Sequence, residues 1–138
     1  MNNIDDIRQY IKTYALKMTE TTDSGLEFYA FLHRFNYMGL SCLSEITLEK
    51  DLESAHVRVY TGGYFAKIPI EKRNELINQF NADLRFASVY YSSDALILEN
   101  DILLTSDHSI PLIIDCLILL QEHTQDLIIY RELFKEDE

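Results

Sequence analysis

Side chains able to do acid–base, nucleophilic or metal chemistry are few in this sequence, and they are scattered. The four histidines, His33, His56, His108 and His123, never recur at the i, i+3 or i+4 spacing that sets two ligands on one helix face. Asp107-His108-Ser109 holds the residue types of a hydrolytic triad. Adjacent side chains diverge, however, and a triad is built by convergence in space, so the segment reads as the cap of a following helix. Glu99 and Asp101 share a strand face by period two and could hold a hard cation. Without a ligand-rich loop beside them they read better as solvated strand charges. Cys42 and Cys116 lie far apart in apolar settings, which suits reduced, buried thiols better than a disulfide or a zinc site. The four glycines, Gly25, Gly39, Gly62 and Gly63, form no phosphate-cradling loop. A non-enzymatic chain without catalytic, cofactor or metal site is therefore expected. A deep pocket joining His56 or His108 to a carboxylate would reverse that expectation.

The aromatic residues are more suggestive. Nine tyrosines and seven phenylalanines are present, and Tyr60, Tyr64, Tyr90 and Tyr91 fall on or beside strand-like segments. Strand residues alternate faces, so Tyr90 and Tyr91 cannot both point inward. These four are the candidate protein-contact residues, since tyrosine is enriched at interfaces; an isolated exposed aromatic of no consequence is the competing account.

The elements that would position them follow from periodicity. Ile4, Ile7, Ile11, Tyr14 and Met18 recur at three and four residues, with Asp5 and Asp6 in the first turn, which specifies a first helix. Residues 26–43 fit both a strand (Leu26, Phe28, Ala30, Leu32) and a helical stripe (Leu26, Tyr29, Ala30, His33), with the strand favoured. Ile46 and Leu48, then Val57 and Val59, alternate across the polar turn 49–54 as a hairpin, and Tyr64 to Ile70 can supply a further extended segment. A second helix is expected over about Glu71–Asp83, a second hairpin over 85–104, and a long last helix from Ser109, with Pro111 tolerated in its first turn. The order predicts one α+β domain over residues 1–138, an antiparallel twisted sheet flanked by helices in the order α-β-β-β-α-β-β-α.

Composition narrows the partners. Twelve Lys and Arg against 23 Asp and Glu leave a net charge of −11, a field that repels phosphate backbones and anionic lipid surfaces. Nucleic acid and membrane partners are therefore not expected. The first residues carry neither a basic n-region nor an apolar h-region, and the most apolar stretch, Ile110 to Leu120, is about half a bilayer span and includes Pro111 and Asp115. A cytoplasmic protein is expected.

The string Ile77-Asn78-Gln79-Phe80-Asn81-Ala82-Asp83-Leu84-Arg85-Phe86-Ala87-Ser88-Val89-Tyr90 resembles the YbjN-type family of bacterial sensory transduction regulators. There, a helix ends in Asn, an Arg-Phe pair opens a strand, and an Asp-containing turn, an apolar strand and a long final helix follow. The likeness covers about residues 55 to 135. It implies a fold like the type III secretion chaperones, often paired into homodimers, and implies no reaction. Asn81, Arg85 and Phe86 are the motif residues, and Asn81 and Arg85 read as a helix-end cap and a strand-start anchor. The expected function is thus a chaperone-like or regulatory adaptor that binds a protein partner or itself. The alternative is an acidic inhibitor or immunity-type protein that neutralises a basic partner.

Overall fold

The computed structural model describes residues 4–14, 17–21, 27–62, 69–83, 88–92, 95–105 and 109–135. The first helix, α1, spans Ile4–Tyr14, with Asp5 and Asp6 in its first turn and Lys12 in its last, both favourable to the helix dipole. Ile7 and Ile11, one turn apart, are its buried residues. A short strand β1 (Thr19–Glu20) leads to β2 (Phe28–Tyr37), β3 (Leu40–Glu49) and β4 (Ser54–Gly62). After α2 (Ile70–Asp83) come β5 (Ser88–Ser92), β6 (Ala95–Leu103) and the long α3 (Ser109–Lys135).

The strands form one six-stranded sheet in the order β1-β2-β3-β4-β6-β5, and every described pairing is antiparallel. The molecule is therefore an α+β fold with an antiparallel sheet flanked by helices, as the periodicity predicts. The burial pattern of β4 alternates strictly, with Ala55, Val57, Val59 and Thr61 on the inner face and Ser54, His56, Arg58 and Tyr60 on the other. The paired register carries that inner face through Ile46 and Leu48 on β3 and Leu96 and Leu98 on β6. Helices α1 and α3 cover it, with Ile113, Leu120, Leu127 and Ile128 of α3 fully or almost fully buried. Each such aliphatic side chain removed from water contributes about 1.5–3 kcal/mol. Two of the buried polar groups, Ser44 and Thr124, have side-chain hydrogen bonds inside. Gln121 donates to the Ser44 hydroxyl at 2.8 Å, and Thr124 donates to the Leu120 carbonyl at 2.7 Å.

Several local expectations change. The strand reading of residues 26–43 holds over 28–37 and 40–43, but as two strands: β2 reverses into β3 through Met38-Gly39, both at positive φ (50° and 80°). A two-residue hairpin turn of this hand matches the twist of its strands but needs left-handed backbone at both positions. Methionine carries no such signal, so the reversal is hidden in sequence. The second hairpin expected over 85–104 is formed by β5 and a β6 that runs unbroken from Ala95 to Leu103. The expected extended segment at Tyr64–Ile70 lies largely outside the described residues, and Ile70 opens α2. Among the described residues, no helix is long and apolar enough to cross a membrane.

Candidate protein-docking edge

An antiparallel sheet ends in two edge strands whose unpaired N–H and C=O groups invite another chain, and proteins blunt such edges explicitly. Here the two edges differ. At the β5 edge, Asn81 of α2 applies its carboxamide to the main chain of Val89. Nδ2 donates to the Val89 carbonyl and Oδ1 accepts from the Val89 N–H, each at 2.8 Å. Asn81 lies two residues before the end of α2, so it is a plug for the strand edge and not the helix-end cap that its motif position suggested.

At the other edge, β1 pairs with β2 only through Thr19↔Leu32 and Glu20↔Phe31, extended by the Thr21 N–H donating to the Ala30 carbonyl at 2.9 Å. Antiparallel pairing alternates hydrogen-bonded and non-bonded pairs. The Thr21–Ala30 bond therefore turns the main-chain groups of Ala30, Leu32, Arg34 and Asn36 towards the outer edge. The two-residue turn closed by Tyr37↔Leu40 requires the same phase, with His33, Phe35 and Tyr37 bonded to β3. Among the described residues nothing pairs with the outward main chain of Arg34 and Asn36. Among the described residues, half of this ten-residue strand is thus left as an open template.

A hollow lies on each side of this edge. On the inner face a groove of about 670 Å³ runs between the end of α1, the second half of β2 and α3. Met18, Phe35, Tyr37, Ile114, Leu117 and Ile118 give it an apolar wall. Tyr14 and Ile118, 63 % and 45 % exposed, stand at its rim. His33 stacks on Phe35 with ring centroids 5.5 Å apart, and burial, followed by the nearby Lys17, holds its imidazole below the usual histidine range. On the outer face Leu32, Arg34, Lys17 and Thr19 line a hollow of about 490 Å³. The groove volumes fall in the range of ligand and peptide sites. What fixes α1 beside β1 is Arg8, which lies over the Tyr29 ring and donates three hydrogen bonds of 2.9–3.1 Å to the Glu20 carboxylate.

The residues singled out from sequence fall elsewhere. Tyr60 and Tyr90 are brought to the outer face because β6 inserts between β4 and β5, giving the row Tyr60↔Ile97↔Tyr90. Beside it, Arg58 sits between Glu99 (2.8 Å) and Glu45 (3.4 Å), and the Tyr90 hydroxyl donates to Glu99 at 3.0 Å. The Tyr60 hydroxyl reaches Glu45 at 3.5 Å. Both phenols are pushed up, by burial first and then by these carboxylates. The Arg58 guanidinium is held above its usual range by Glu99, Tyr60 and Glu45 against the opposing effect of burial. These tyrosines are half-buried members of a charge network rather than protruding contacts. Tyr91 pairs with Leu96 in register, and Tyr64, Arg85 and Phe86 lie outside the described residues.

Glu99 and Asp101 do share the outer face, but Glu99 serves Arg58, and Asp101 lies 2.6 Å from His56 Nδ1. His56 Nε2 is 3.7 Å from Glu49, and Thr47 is its register neighbour on β3. The row thus holds a hydroxyl, an imidazole and a carboxylate. Among the described residues no hydrogen bond joins Thr47 to His56, and the depression beside them measures only about 280 Å³. Among the described residues Thr47 therefore has no base placed to take its proton, which a nucleophilic site needs. Cys42 and Cys116 are buried, and burial raises both thiols away from the reactive thiolate. Among the described residues, no three His, Cys, Asp or Glu side chains converge as a metal site would require.

Lys17, His33, Arg34 and Asn36 escaped sequence reasoning because only the pairing of β1 with half of β2 makes them an edge. The available signal was the alternation of His33, Phe35 and Tyr37 with Arg34 and Asn36. No family model, no curated protein and no solved structure matches the chain.

Proposed function

We propose that the protein is a non-enzymatic binding module, a chaperone-like or regulatory adaptor of the cytoplasm, which receives an extended segment of a protein partner along the unpaired half of β2. The observation that carries this reading is the unequal treatment of the two sheet edges. Asn81 occupies the β5 edge at Val89, whereas among the described residues the outward main chain of Arg34 and Asn36 has no partner and is flanked by two hollows. A strand added there gains main-chain hydrogen bonds, and its alternating side chains enter the hollows on the two faces. Met38, half exposed at positive φ at the hairpin tip beside this edge, fits a recognition loop that tolerates strain.

The rival reading, an acidic inhibitor of a basic partner, draws on Glu45, Glu49, Glu99 and Asp101 of the outer face. Arg58 and His56 already lie among those carboxylates, which weakens it. The test is a tagged pull-down from the native host comparing the parent chain with Asn36→Pro, which deletes one outward N–H from an edge position where proline fits. Proteins retained by the parent and by Asn36→Ala but lost with Asn36→Pro support strand docking. A captured set indifferent to Asn36→Pro refutes it.

A further inference from the structure

The docking edge has a charge of the opposite sign to the molecule. The chain carries 12 basic against 23 acidic residues, yet the rim of the open half of β2 gathers Lys17 and Arg34, with His33 between them in the lining. Two other arginines are held by carboxylates. Arg8 binds Asp5 and Glu20, and Arg58 binds Glu45 and Glu99. Lys17 and Arg34 form no ion pair among the described residues. The one carboxylate lining the same hollow, Glu20, is already held by three hydrogen bonds from Arg8.

The two hollows also differ in character. Leu32, Arg34 and Asn36 project to the outer face, where Lys17 and Arg34 set the chemistry, while Phe35 and Tyr37 project to the inner face against Leu117 and Ile118. A strand laid along this edge presents alternate side chains to the two faces. One set would meet cations and the other an apolar wall.

Resting on the protein-binding reading above, we infer that the occupant is an extended segment alternating acidic with apolar side chains, the acidic ones facing Lys17 and Arg34 and the apolar ones entering the groove beside Phe35. A second copy of the chain is a poorer occupant, because pairing β2 with β2 brings two copies each of Lys17 and Arg34 to one seam, and like charges there oppose association. A basic segment is opposed by the same two cations.

The test uses the full chain and an array of ten-residue peptides in four sets. Three alternate apolar residues with Glu, with Lys or with Ser, and the fourth places Glu and apolar residues at helical spacing. The alternating Glu set should bind about tenfold or more tightly than the Lys set, and raised salt should narrow the gap. Joint Lys17→Glu and Arg34→Glu substitution should erase or invert the preference. Asn36→Pro should abolish binding of every alternating set while Asn36→Ala leaves it within about threefold, the difference a lost main-chain donor makes. Equal binding of the Glu and Lys sets, preference for the helical set, or no binding of any set overturns the inference. Loss of the Glu preference alongside intact, Asn36→Pro-sensitive capture of proteins refutes the acidic occupant alone. Capture indifferent to Asn36→Pro refutes the docking edge itself.

Discussion

Replacing Asn81 should loosen the guarded edge of the sheet by an amount that follows from its geometry. Its carboxamide makes two hydrogen bonds, both 2.8 Å and both to Val89, at a part-buried position. A neutral hydrogen bond contributes about 0.5–1.5 kcal/mol net, so the pair is worth about 1–3 kcal/mol before water re-enters. Because the site is only part-buried, water satisfies some of what truncation exposes, and Asn81→Ala should cost about 1–2 kcal/mol. Urea unfolding should show this as a lower midpoint at unchanged slope. Asn81→Asp discriminates further. An ionised carboxylate can still accept from the Val89 N–H but faces the Val89 carbonyl, which disfavours the charged form and raises its folded pKa above the unfolded value. That variant's protonated acid donates and accepts as the amide does, so its deficit should be greatest at pH 7 and shrink as pH falls towards about 4. Residue-resolved amide exchange should show Val89 losing protection in both variants at pH 7. An Asn81→Ala chain as stable as the parent, or an Asn81→Asp deficit independent of pH, would refute the edge-plug account.

Three further outcomes follow from the same geometry. Met38→Asn should raise stability by about 0.5–1 kcal/mol in urea melts, because asparagine tolerates the positive φ that methionine is held in at this exposed turn. His33 is held below the usual range by burial and by Lys17, so the unfolded chain takes up its proton first. Stability should therefore drop as pH falls below about 6.5, and His33→Gln should flatten the difference between melts at pH 7.5 and 5.5. Tyr60 and Tyr90 have the opposite linkage: their raised folded pKa values keep the phenols protonated, so stability should fall as pH rises above about 10. Ultraviolet titration should show two tyrosines ionising late, and Tyr90→Phe should remove one of them.

Periodicity alone made most of the elements legible. Ile4, Ile7 and Ile11 define α1, the alternation of Ile46, Leu48, Val57 and Val59 defines the β3–β4 hairpin, and the apolar stripe from Ile113 to Leu127 defines α3. The β2–β3 reversal was not legible, because Met38 has no turn chemistry and its left-handed backbone is imposed by the ten residue pairs of the hairpin. The tyrosines were visible as residues but not as a set. Tyr60 and Tyr90 meet only because β6 comes between their strands, a long-range fact that no local pattern encodes. The open edge is of the same kind: Arg34 and Asn36 are ordinary strand residues until β1 stops pairing two residues short of them. Even Asn81, quoted in the motif, revealed its part only when α2 was laid against β5.

The most direct measurement of the docking claim is residue-resolved amide exchange along β2, taken on the free chain and again with the partner that the pull-down retains. In the free chain the Arg34 and Asn36 amides should exchange far faster than those of His33 and Phe35, which bond to β3, and the bound chain should slow Arg34 and Asn36 selectively. Protection of Arg34 and Asn36 already complete in the free chain, or partner-induced slowing confined to β4 and β6, would contradict it.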